Sequence, residues 1–356
     1  MEEMVTSTNF WKNKKVLITG HTGFKGGWLS LWLSSLGSVI KGFSLEPSTE
    51  YNLFTIADIN SITDSEFNDI LDYDNLSDCI KNFQPDIIFH MAAQPLVRDS
   101  YIYPIETYKT NVIGTANILE ASRDIKSIKA IINITTDKVY ENLEDDRAFK
   151  ENDALGGYDP YSSSKACSEL VTASYRRSFL NSAGIGIASA RAGNVIGGGD
   201  WAKDRLLPEI LDAFYNKKPV VIRNPNSTRP WQHVLEPLSG YIKLAEMLYE
   251  NPKIYSQSWN FGPKDEDVKS VSWILDKTSE KWGGSPMWEI DKNENPHEAK
   301  LLKLDITKSA NELKWSPTWD LGTALSETVR WFKLWKDGRD MQIECLEQIN
   351  KFYLKN

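Results

Sequence analysis

The first half of the chain alternates short apolar runs with longer amphipathic stretches. This alternation is typical of β-α-β units, in which parallel strands form one sheet and the connecting helices cover its faces. It predicts five strands, at residues 15–19, 39–43, 86–90, 130–135 and 185–190. The pattern therefore indicates an α/β protein with a doubly wound parallel sheet of the Rossmann type.

The segment between the first two predicted strands has the periodicity of a helix. Leu29, Trp32, Leu33 and Leu36 are spaced i, i+3, i+4 and i+7, so they form one apolar face, and Gly37 can end the helix. Strand, turn, helix and strand make a complete β-α-β unit.

Beyond Ala192 the chain is richer in glycine, proline and polar residues, which indicates a second, loop-rich region. Within it, stretches near residues 206–215, 238–249 and 322–335 have helical periodicity. The sequence has no internal repeat and no low-complexity linker, so we expect the second region to pack closely on the first.

A glycine-rich turn joins the first predicted strand to the first predicted helix. Gly20, Gly23 and Gly26 have the spacing G-x-x-G-x-x-G. Glycines at such a turn let backbone N–H groups approach a pyrophosphate, and the helix N-terminus supplies positive potential. The placement between strand and helix favours a dinucleotide site over a turn that glycines merely shape.

The residue that usually binds the adenosine ribose is missing from the second predicted strand. That strand runs into Ser44 and Leu45, with no Asp or Glu at its end. His21 and Lys25 add cationic character beside the turn. We expect NAD as the cofactor, and at this point NADP stays an alternative.

Tyr161 and Lys165 lie four residues apart at the start of a predicted helix, so the phenol and the ammonium share one helix face. A phenol becomes a base near neutral pH only if its pKa falls, and a nearby cation acts in that direction. Thr136, Asp137 and Lys138 follow the predicted strand 130–135, whose carboxyl end should face the same crevice. Together these features favour a redox site over a solvated helix face and a capping turn.

Composition limits the partners. The 356 residues carry 41 basic and 49 acidic side chains, a formal net charge of −8, which argues against nucleic acid or an anionic membrane as a partner. The chain has no apolar run near the roughly 18 residues of a membrane span, and its three cysteines form no disulfide or metal pattern. We expect a cytoplasmic protein that binds small molecules. The four histidines form no ligand pair, so we expect no metal.

Several longer motifs are similar to those of the extended short-chain dehydrogenase/reductase superfamily. They are the glycine turn, His90-Met91-Ala92-Ala93-Gln94, Thr110-Asn111-Val112-Ile113-Gly114-Thr115 and the Tyr161/Lys165 pair. A narrower resemblance, to the nucleotide-sugar 4,6-dehydratases, is carried by residues 20–29, by Thr136-Asp137-Lys138, and most specifically by residues 191–201 and 229–234. The resemblance covers almost the whole chain.

The resemblance implies an NAD-dependent dehydration of a CDP-linked hexose. The sugar is oxidised at C4, water is eliminated across C5 and C6, and the hydride returns to C6. It implies that Tyr161 removes the C4 hydroxyl proton, that Lys165 lowers the pKa of Tyr161 and holds the nicotinamide ribose, and that Thr136 hydrogen-bonds the same hydroxyl. Asp137 would protonate the departing C6 hydroxyl.

The resemblance also implies binding residues and domains. Those implied to bind the dinucleotide are Gly20, Thr22, Gly23, Phe24, Lys25, Gly26, Asp69, Ile70, Ala92, Ala93, Gln94, Thr110, Tyr161 and Lys165. Those implied to bind the nucleotide sugar are Asn194, Arg205, Arg223, Arg229, His233 and Glu298. Residues 1–191 would form the NAD-binding domain, completed by elements from 234–262, and residues 192–356 mainly the substrate domain. A homodimer or homotetramer is implied.

One position departs from the better-known nucleotide-sugar dehydratases, which carry Thr-Asp-Glu where this chain has Lys138. Lys138 could take the C5 proton, provided that its pKa is depressed, or it could stabilise the charge of the enolate. The sequence leaves both roles open. It also leaves open a GDP- or dTDP-linked substrate. Two other classes stay open as well: a 4-epimerase or reductase, although such enzymes usually carry no acid at the position of Asp137, and a non-catalytic nicotinamide-binding regulator.

Overall fold

A computed structural model describes residues 9–143, 147–284, 288–291 and 302–354. The strands are β1 (Lys15–Thr19), β2 (Val39–Ser44), β3 (Asp64–Phe67), β4 (Ile87–His90), β5 (Ala130–Ile134), β6 (Gly186–Ala192), β7 (Val195–Ile196), β8 (Val220–Ile222), β9 (Thr228–Pro230), β10 (Gln232–His233), β11 (Ser258–Phe261), β12 (Val268–Ser270) and β13 (Trp288–Ile290).

The helices lie between and beyond these strands. They are α1 (Phe24–Ser35), α2 (Leu53–Ile56), α3 (Tyr73–Phe83), α4 (Val97–Ile102), α5 (Pro104–Tyr108), α6 (Gly114–Ser122), α7 (Pro160–Tyr175), α8 (Asn181–Ala183), α9 (Leu206–Tyr215), α10 (Leu235–Glu250), α11 (Pro252–Tyr255), α12 (Val271–Trp282), α13 (Thr307–Glu312), α14 (Leu321–Lys336) and α15 (Met341–Tyr353). Short π-helical segments, Lys109–Ile113 and Arg176–Leu180, continue α5 into α6 and α7 into α8.

Seven parallel strands form the central sheet in the order β11-β6-β5-β4-β1-β2-β3. The sheet confirms the predicted α/β class. Its strand order reverses between β1 and β4, because β1 pairs with β2 on one side and β4 on the other. Ligands of doubly wound sheets bind in the crevice at such a reversal, beyond the carboxyl ends of the strands.

The second half of the chain contributes one strand to this sheet. β11 pairs with β6 from Ser258 opposite Ser189 to Phe261 opposite Ala192. The helix before it, α10, packs against β5 and β6. The two halves of the chain therefore share one hydrophobic core, which includes Leu238, Leu244 and Trp259.

The helix predicted between the first two strands is present as α1, and its predicted apolar face is buried, but the burial extends beyond that face. Its residues from Gly26 to Leu33 are all buried. The added cover comes from α15, whose Phe352 and Tyr353 meet Trp32 edge to face at 5.7 and 5.4 Å between ring centroids. A helix covered on more than one side needs apolar residues around its circumference.

A smaller unit beside the sheet carries three of the arginines expected to bind substrate. Two-stranded pairs, β8 with β13 and β9 with β12, pack with α9, α12 and α14 around a second apolar cluster that includes Ile210, Ile274 and Leu325. In the residues described, no helix combines the length and the apolar character that crossing a bilayer requires.

Candidate active site

A cavity of about 340 Å³ opens beyond the carboxyl ends of β5 and β6. The sheet side of its wall holds Thr136, Asp137 and Lys138, and α7 contributes Tyr161. The smaller unit closes the opposite side with α9 and the β8–β9 segment. The cavity thus lies where the predicted catalytic and substrate residues meet.

Asp137 is the most enclosed of the strand-end residues, at 1% exposure. Its Oδ1 accepts a hydrogen bond from Thr136 Oγ1 at 3.0 Å, and the Lys138 ammonium lies 3.3 Å from the same oxygen. Oδ2 is buried and has no partner among the described residues. It faces Gly193, where an added Cβ would lie 2.8 Å from it. One carboxylate oxygen is therefore held by the protein, and the other is left for a ligand.

Tyr161 enters the cavity from the first turn of α7. The helix begins there because Pro160 takes the first helical position and Asp159 caps the turn, accepting from the Ser162 N–H at 2.9 Å and from its hydroxyl at 2.6 Å. Burial raises the pKa of Tyr161 to about 12, although a hydrogen bond with Thr136 opposes the rise. In the protein alone the pKa is raised, not lowered as expected from Lys165, because burial outweighs the neighbouring charges.

Lys165 lies one turn further along α7, and it is buried. Its ammonium donates to the carbonyl of Ile134 at 3.0 Å, which fixes it to the end of β5. Burial and, to a smaller extent, the charge of Lys25 lower the pKa of Lys165 to about 7, against the opposing charge of Glu169. A fully buried ammonium with one carbonyl partner can still donate to a ligand.

The glycine turn has the close backbone packing that a phosphate-binding loop requires. Gly20 adopts a φ of +76°, and an added Cβ would lie 2.8 Å from the backbone nitrogen of Ala92. A Cβ on Gly26 would lie 2.2 Å from the carbonyl oxygen of Gly20. Side chains are thus excluded at both positions, so the cradle fits a dinucleotide pyrophosphate at the N-terminus of α1.

The other residues expected to bind the dinucleotide follow the carboxyl ends of β1 to β4. Thr22 donates to the carbonyl of Leu45 at 2.9 Å, beside Ser44. The side chain of Gln94 donates to the Leu96 carbonyl, and its N–H donates to Asn111 Oδ1. Phe24, Ala93 and Thr110 are partly buried, Ile70 belongs to the core, and Asp69 is exposed with its Oδ1 accepting from the Leu71 N–H.

The expected substrate residues separate into three groups. Asn194, Arg205, Arg223 and Arg229 line the cavity. His233 does not: its ring is fully buried, 6.2 Å from Trp28 and 4.9 Å from Trp319 between centroids, because the chain turns from β9 into β10 and pairs with β7. Glu298 lies outside the described residues.

The charged residues of the cavity wall that sequence reasoning missed include Arg98, Asp200 and Asp204. Asp204 accepts from both Arg98 and Arg223, at 2.9 and 3.0 Å, and so joins α4 to the smaller unit. Asp200, in the glycine loop after β7, is partly buried, and burial raises its pKa. The run Gly197-Gly198-Gly199 before Asp200 was the available signal, because such a loop brings the chain close to other groups.

The fold and the site together define the class of protein. A doubly wound sheet, a glycine-rich turn, and a Tyr/Lys pair facing a strand-end threonine characterise the extended short-chain dehydrogenase/reductases. Residues 17–328 match the family described as GDP-mannose 4,6 dehydratase. The chain belongs to this family.

A curated relative from Salmonella typhimurium, a CDP-glucose 4,6-dehydratase, is 52% identical over 349 residues, which is 97% of each chain. A dTDP-glucose 4,6-dehydratase of Escherichia coli is 26% identical, covering 89% of this chain and 93% of the relative.

Solved structures share the fold. The dTDP-glucose 4,6-dehydratase of Bacillus anthracis, in complex with NAD, superimposes with a TM-score of 0.75 at 22% identity, covering 92% of this chain and 99% of the other. A UDP-glucuronic acid 4-epimerase of Bacillus cereus, in complex with UDP-glucuronic acid and NAD, superimposes with a TM-score of 0.77 at 24% identity. The match covers 90% of this chain and 99% of the other.

Proposed function

We propose that this protein is an NAD-dependent hydro-lyase that converts CDP-D-glucose to CDP-4-dehydro-6-deoxy-D-glucose and water. The observation that carries the proposal is Asp137, a buried carboxylate with one free oxygen, placed beside Thr136 and Tyr161. The 52% identity to a CDP-glucose 4,6-dehydratase over nearly the whole chain supports the same reaction.

NAD fits the glycine cradle between Gly20 and Gly26, where side chains are excluded and the α1 N-terminus faces the phosphates. Ser44 and Thr22 would face the adenosine ribose with hydroxyl groups. Lys41, the nearby cation of β2, pairs with Asp64 and Glu66 at 3.1 and 3.2 Å, which leaves it poorly placed for the extra phosphate of NADP. When bound, NAD accepts the hydride of C4 and later returns it to C6.

Tyr161 would begin the reaction by taking the proton of the C4 hydroxyl. Thr136 orients that hydroxyl, and it already hydrogen-bonds Tyr161 in the protein alone. The raised pKa of Tyr161 favours its neutral form until positive charge enters the cavity near it. Lys165, held by the Ile134 carbonyl, supplies part of that charge and would hold the nicotinamide ribose.

Asp137 would then act as the general acid of the elimination. A ketone at C4 acidifies the C5 proton and leaves the C6 hydroxyl in the β position. The departing hydroxyl needs a proton, which Asp137 can deliver from Oδ2 when it is protonated. A 4-epimerase or reductase has no such step, so this carboxyl separates the dehydratase from those alternatives.

The diphosphate of the substrate would lie among the arginines of the smaller unit. Arg229 is only 7% exposed, and its NH1 donates to the carbonyl of Thr228 at 2.9 Å, which fixes the guanidinium at the wall. Arg205 directly precedes the first residue of α9 and lines the same space. Arginine suits diphosphates because its planar head makes bidentate hydrogen bonds.

Incubation of the purified protein with CDP-, dTDP- and GDP-linked glucose or mannose tests the function. We expect a 4-keto-6-deoxy sugar from CDP-glucose, with deuterium at C5 when the solvent is D₂O. If the protein prefers another nucleotide sugar, the proposed cytidine base of the substrate is wrong. A C4 epimer as the product would contradict the dehydratase reaction.

A homodimer or homotetramer is part of this proposal. Ile102, Tyr103, Ile105 and Ile113 are each more than half exposed on the neighbouring segments α4 to α6. Such a patch on a soluble enzyme favours contact with a second copy. Light scattering after size-exclusion chromatography gives the mass directly, and a monomer would contradict this assembly.

A further inference from the structure

Lys25 belongs to the glycine turn in sequence, yet its side chain lines the cavity. It is the second residue of α1, and it shares the cavity wall with Asp137, Lys138 and Asp200. Its ammonium lies 6.0 Å from the ring centroid of buried Tyr241. The turn that would bind the dinucleotide thus also sends an amine toward the reacting end of the site.

Two lysines share the cavity wall with Asp137 and differ in their partners. Lys138 is paired with Asp137 at 3.3 Å, so its ammonium is already engaged by the very group expected to act as the acid. Lys25 has no carboxylate within 4 Å among the described residues. An unpaired amine gives up its proton more readily than a paired one.

We propose that Lys25, rather than Lys138, is the catalytic residue that takes the proton from C5 of the 4-keto sugar. The inference rests on the proposed dehydratase function. Lys138 would keep Asp137 oriented toward the C6 hydroxyl.

The proton and electron balance is complete within the cavity. The neutral amine of Lys25 accepts the C5 proton, and the electron pair of the C5–H bond becomes the C5–C6 double bond. The C6–O bond breaks, and Asp137 supplies the proton that makes water. After the hydride returns to C6, the Lys25 ammonium, whose hydrogens exchange with solvent, donates one of them to C5. The proton that Tyr161 took from the C4 hydroxyl passes to Asp137, which shares the cavity wall, so every group returns to its starting state.

The electrostatic surroundings agree with this role. Burial, together with the charges of Arg205 and Lys138, lowers the pKa of Lys25 to about 8, against the opposing charges of Asp137 and Asp200. A useful fraction of the side chain is therefore the free amine near neutral pH. A base works best when its pKa lies close to the working pH.

Lys25→Arg and Lys25→Met test the proposal in the NAD-loaded enzyme with CDP-glucose in D₂O. Arginine keeps the positive charge for any phosphate contact but cannot act as a base. We expect Lys25→Arg to retain bound NAD and to form reduced nicotinamide, seen by its near-ultraviolet absorbance. Deuterium at C5 should fall by at least about 100-fold. Lys138→Met should keep more C5 exchange than Lys25→Arg, and Lys81→Met, on the exposed face of α3, is the matched surface control.

Three results would overturn the inference: C5 exchange in Lys25→Arg like that of the wild type, exchange lost equally or more in Lys138→Met, or loss of bound NAD in Lys25→Arg, which would return Lys25 to cofactor binding. These differ from failure of the proposed function, in which the wild-type enzyme itself yields no 4-keto-6-deoxy sugar.

Discussion

The hydroxyl of Thr135 donates to Oε1 of Glu169 at 2.7 Å, and so ties the end of β5 to α7. The residue after Thr135 begins the strand-end group that we propose to be catalytic, and Glu169 lies one turn beyond Lys165. Glu169 also accepts from Arg191 at 2.8 and 3.0 Å and from Ser189 at 2.5 Å. One buried carboxylate therefore ties the strand end that carries Thr136 and Asp137 to the helix that carries Tyr161 and Lys165.

Glu169→Gln should lower the free energy of unfolding by about 3 kcal/mol, because it leaves Arg191 as an uncompensated buried charge. Arg191 and the hydrogen bonds hold the pKa of Glu169 below its ordinary value in spite of burial, so the carboxylate is ionised in the folded protein. Urea denaturation at neutral pH measures the change. Glu280→Gln, in the exposed pair with Lys277, should leave the unfolding curve unchanged, and equal curves for all three proteins would contradict the role of Glu169.

Gly26→Ala should weaken NAD binding by at least about tenfold, roughly 1.4 kcal/mol. Its Cβ would lie 2.2 Å from the Gly20 carbonyl, so the turn must shift away from the phosphates. NAD retained after gel filtration, or fluorescence titration, measures the loss. Gly284→Ala is the control because its Cβ meets only open space. Unchanged affinity in Gly26→Ala would remove the turn from cofactor binding.

Asp137→Asn should stop the reaction after C4 oxidation. The amide cannot protonate the C6 hydroxyl, so reduced nicotinamide should accumulate while product formation falls by about 100-fold or more. Rapid-mixing absorbance with quenched product analysis separates the two steps. Asp124→Asn, on an exposed turn, should behave as the wild type. If Asp137→Asn turns over normally, another group is the acid.

Arg229→Ala should raise the KM for the nucleotide sugar by about 10- to 100-fold, the worth of one charge-assisted hydrogen bond. Binding of NAD should hardly change, because the arginine lies across the cavity from the glycine turn. Lys218→Ala supplies the control, since Lys218 is exposed and has no place in the cavity wall. Equal effects on sugar nucleotide and NAD would contradict a phosphate role for Arg229.

Acid should destabilise the protein through its buried histidines. Burial lowers the pKa of His90 to about 3, from about 6.5 when unfolded, so between these values the unfolded state binds one more proton. The stability that neutral His90 contributes is complete above the unfolded pKa and is lost as pH falls toward the folded one. In His90→Gln, the loss of stability between about pH 6 and about pH 5 should be smaller by about 1.4 kcal/mol per pH unit. An unchanged slope in urea titrations would show that His90 is protonated in the folded state.

The central strands could be predicted from sequence because most of their residues are apolar. β5 and β6 are buried at every position, and the prediction missed their ends by only one or two residues. Asp64–Phe67 was not predicted, since this edge strand has polar residues and no buried position. The short strand Ser258–Phe261 acquires its place only through pairing with β6.

The position of a site residue could be predicted where a sequence motif fixes a turn or a helix start. It was harder to predict where packing between distant parts of the chain determines that position. Tyr161 and the strand-end residues reach the cavity because a capped helix start and a strand end place them there. The position of His233 depends on Trp28 and Trp319, which come from distant parts of the chain. The raised pKa of Tyr161 could not be inferred either, because burial is a property of the whole fold.

Because α15 packs against α1, the N-terminal helix can complete its packing only after the C-terminal helix has been synthesised. The helix that opens the phosphate-binding turn needs Phe352 and Tyr353 to cover Trp32. During synthesis, α1 must therefore wait for more than 300 further residues to leave the ribosome before its last neighbour arrives. A chaperone that shields Trp32 in the meantime, or a ribosome that stalls before α15, would decide how much of the nascent protein becomes able to retain its dinucleotide.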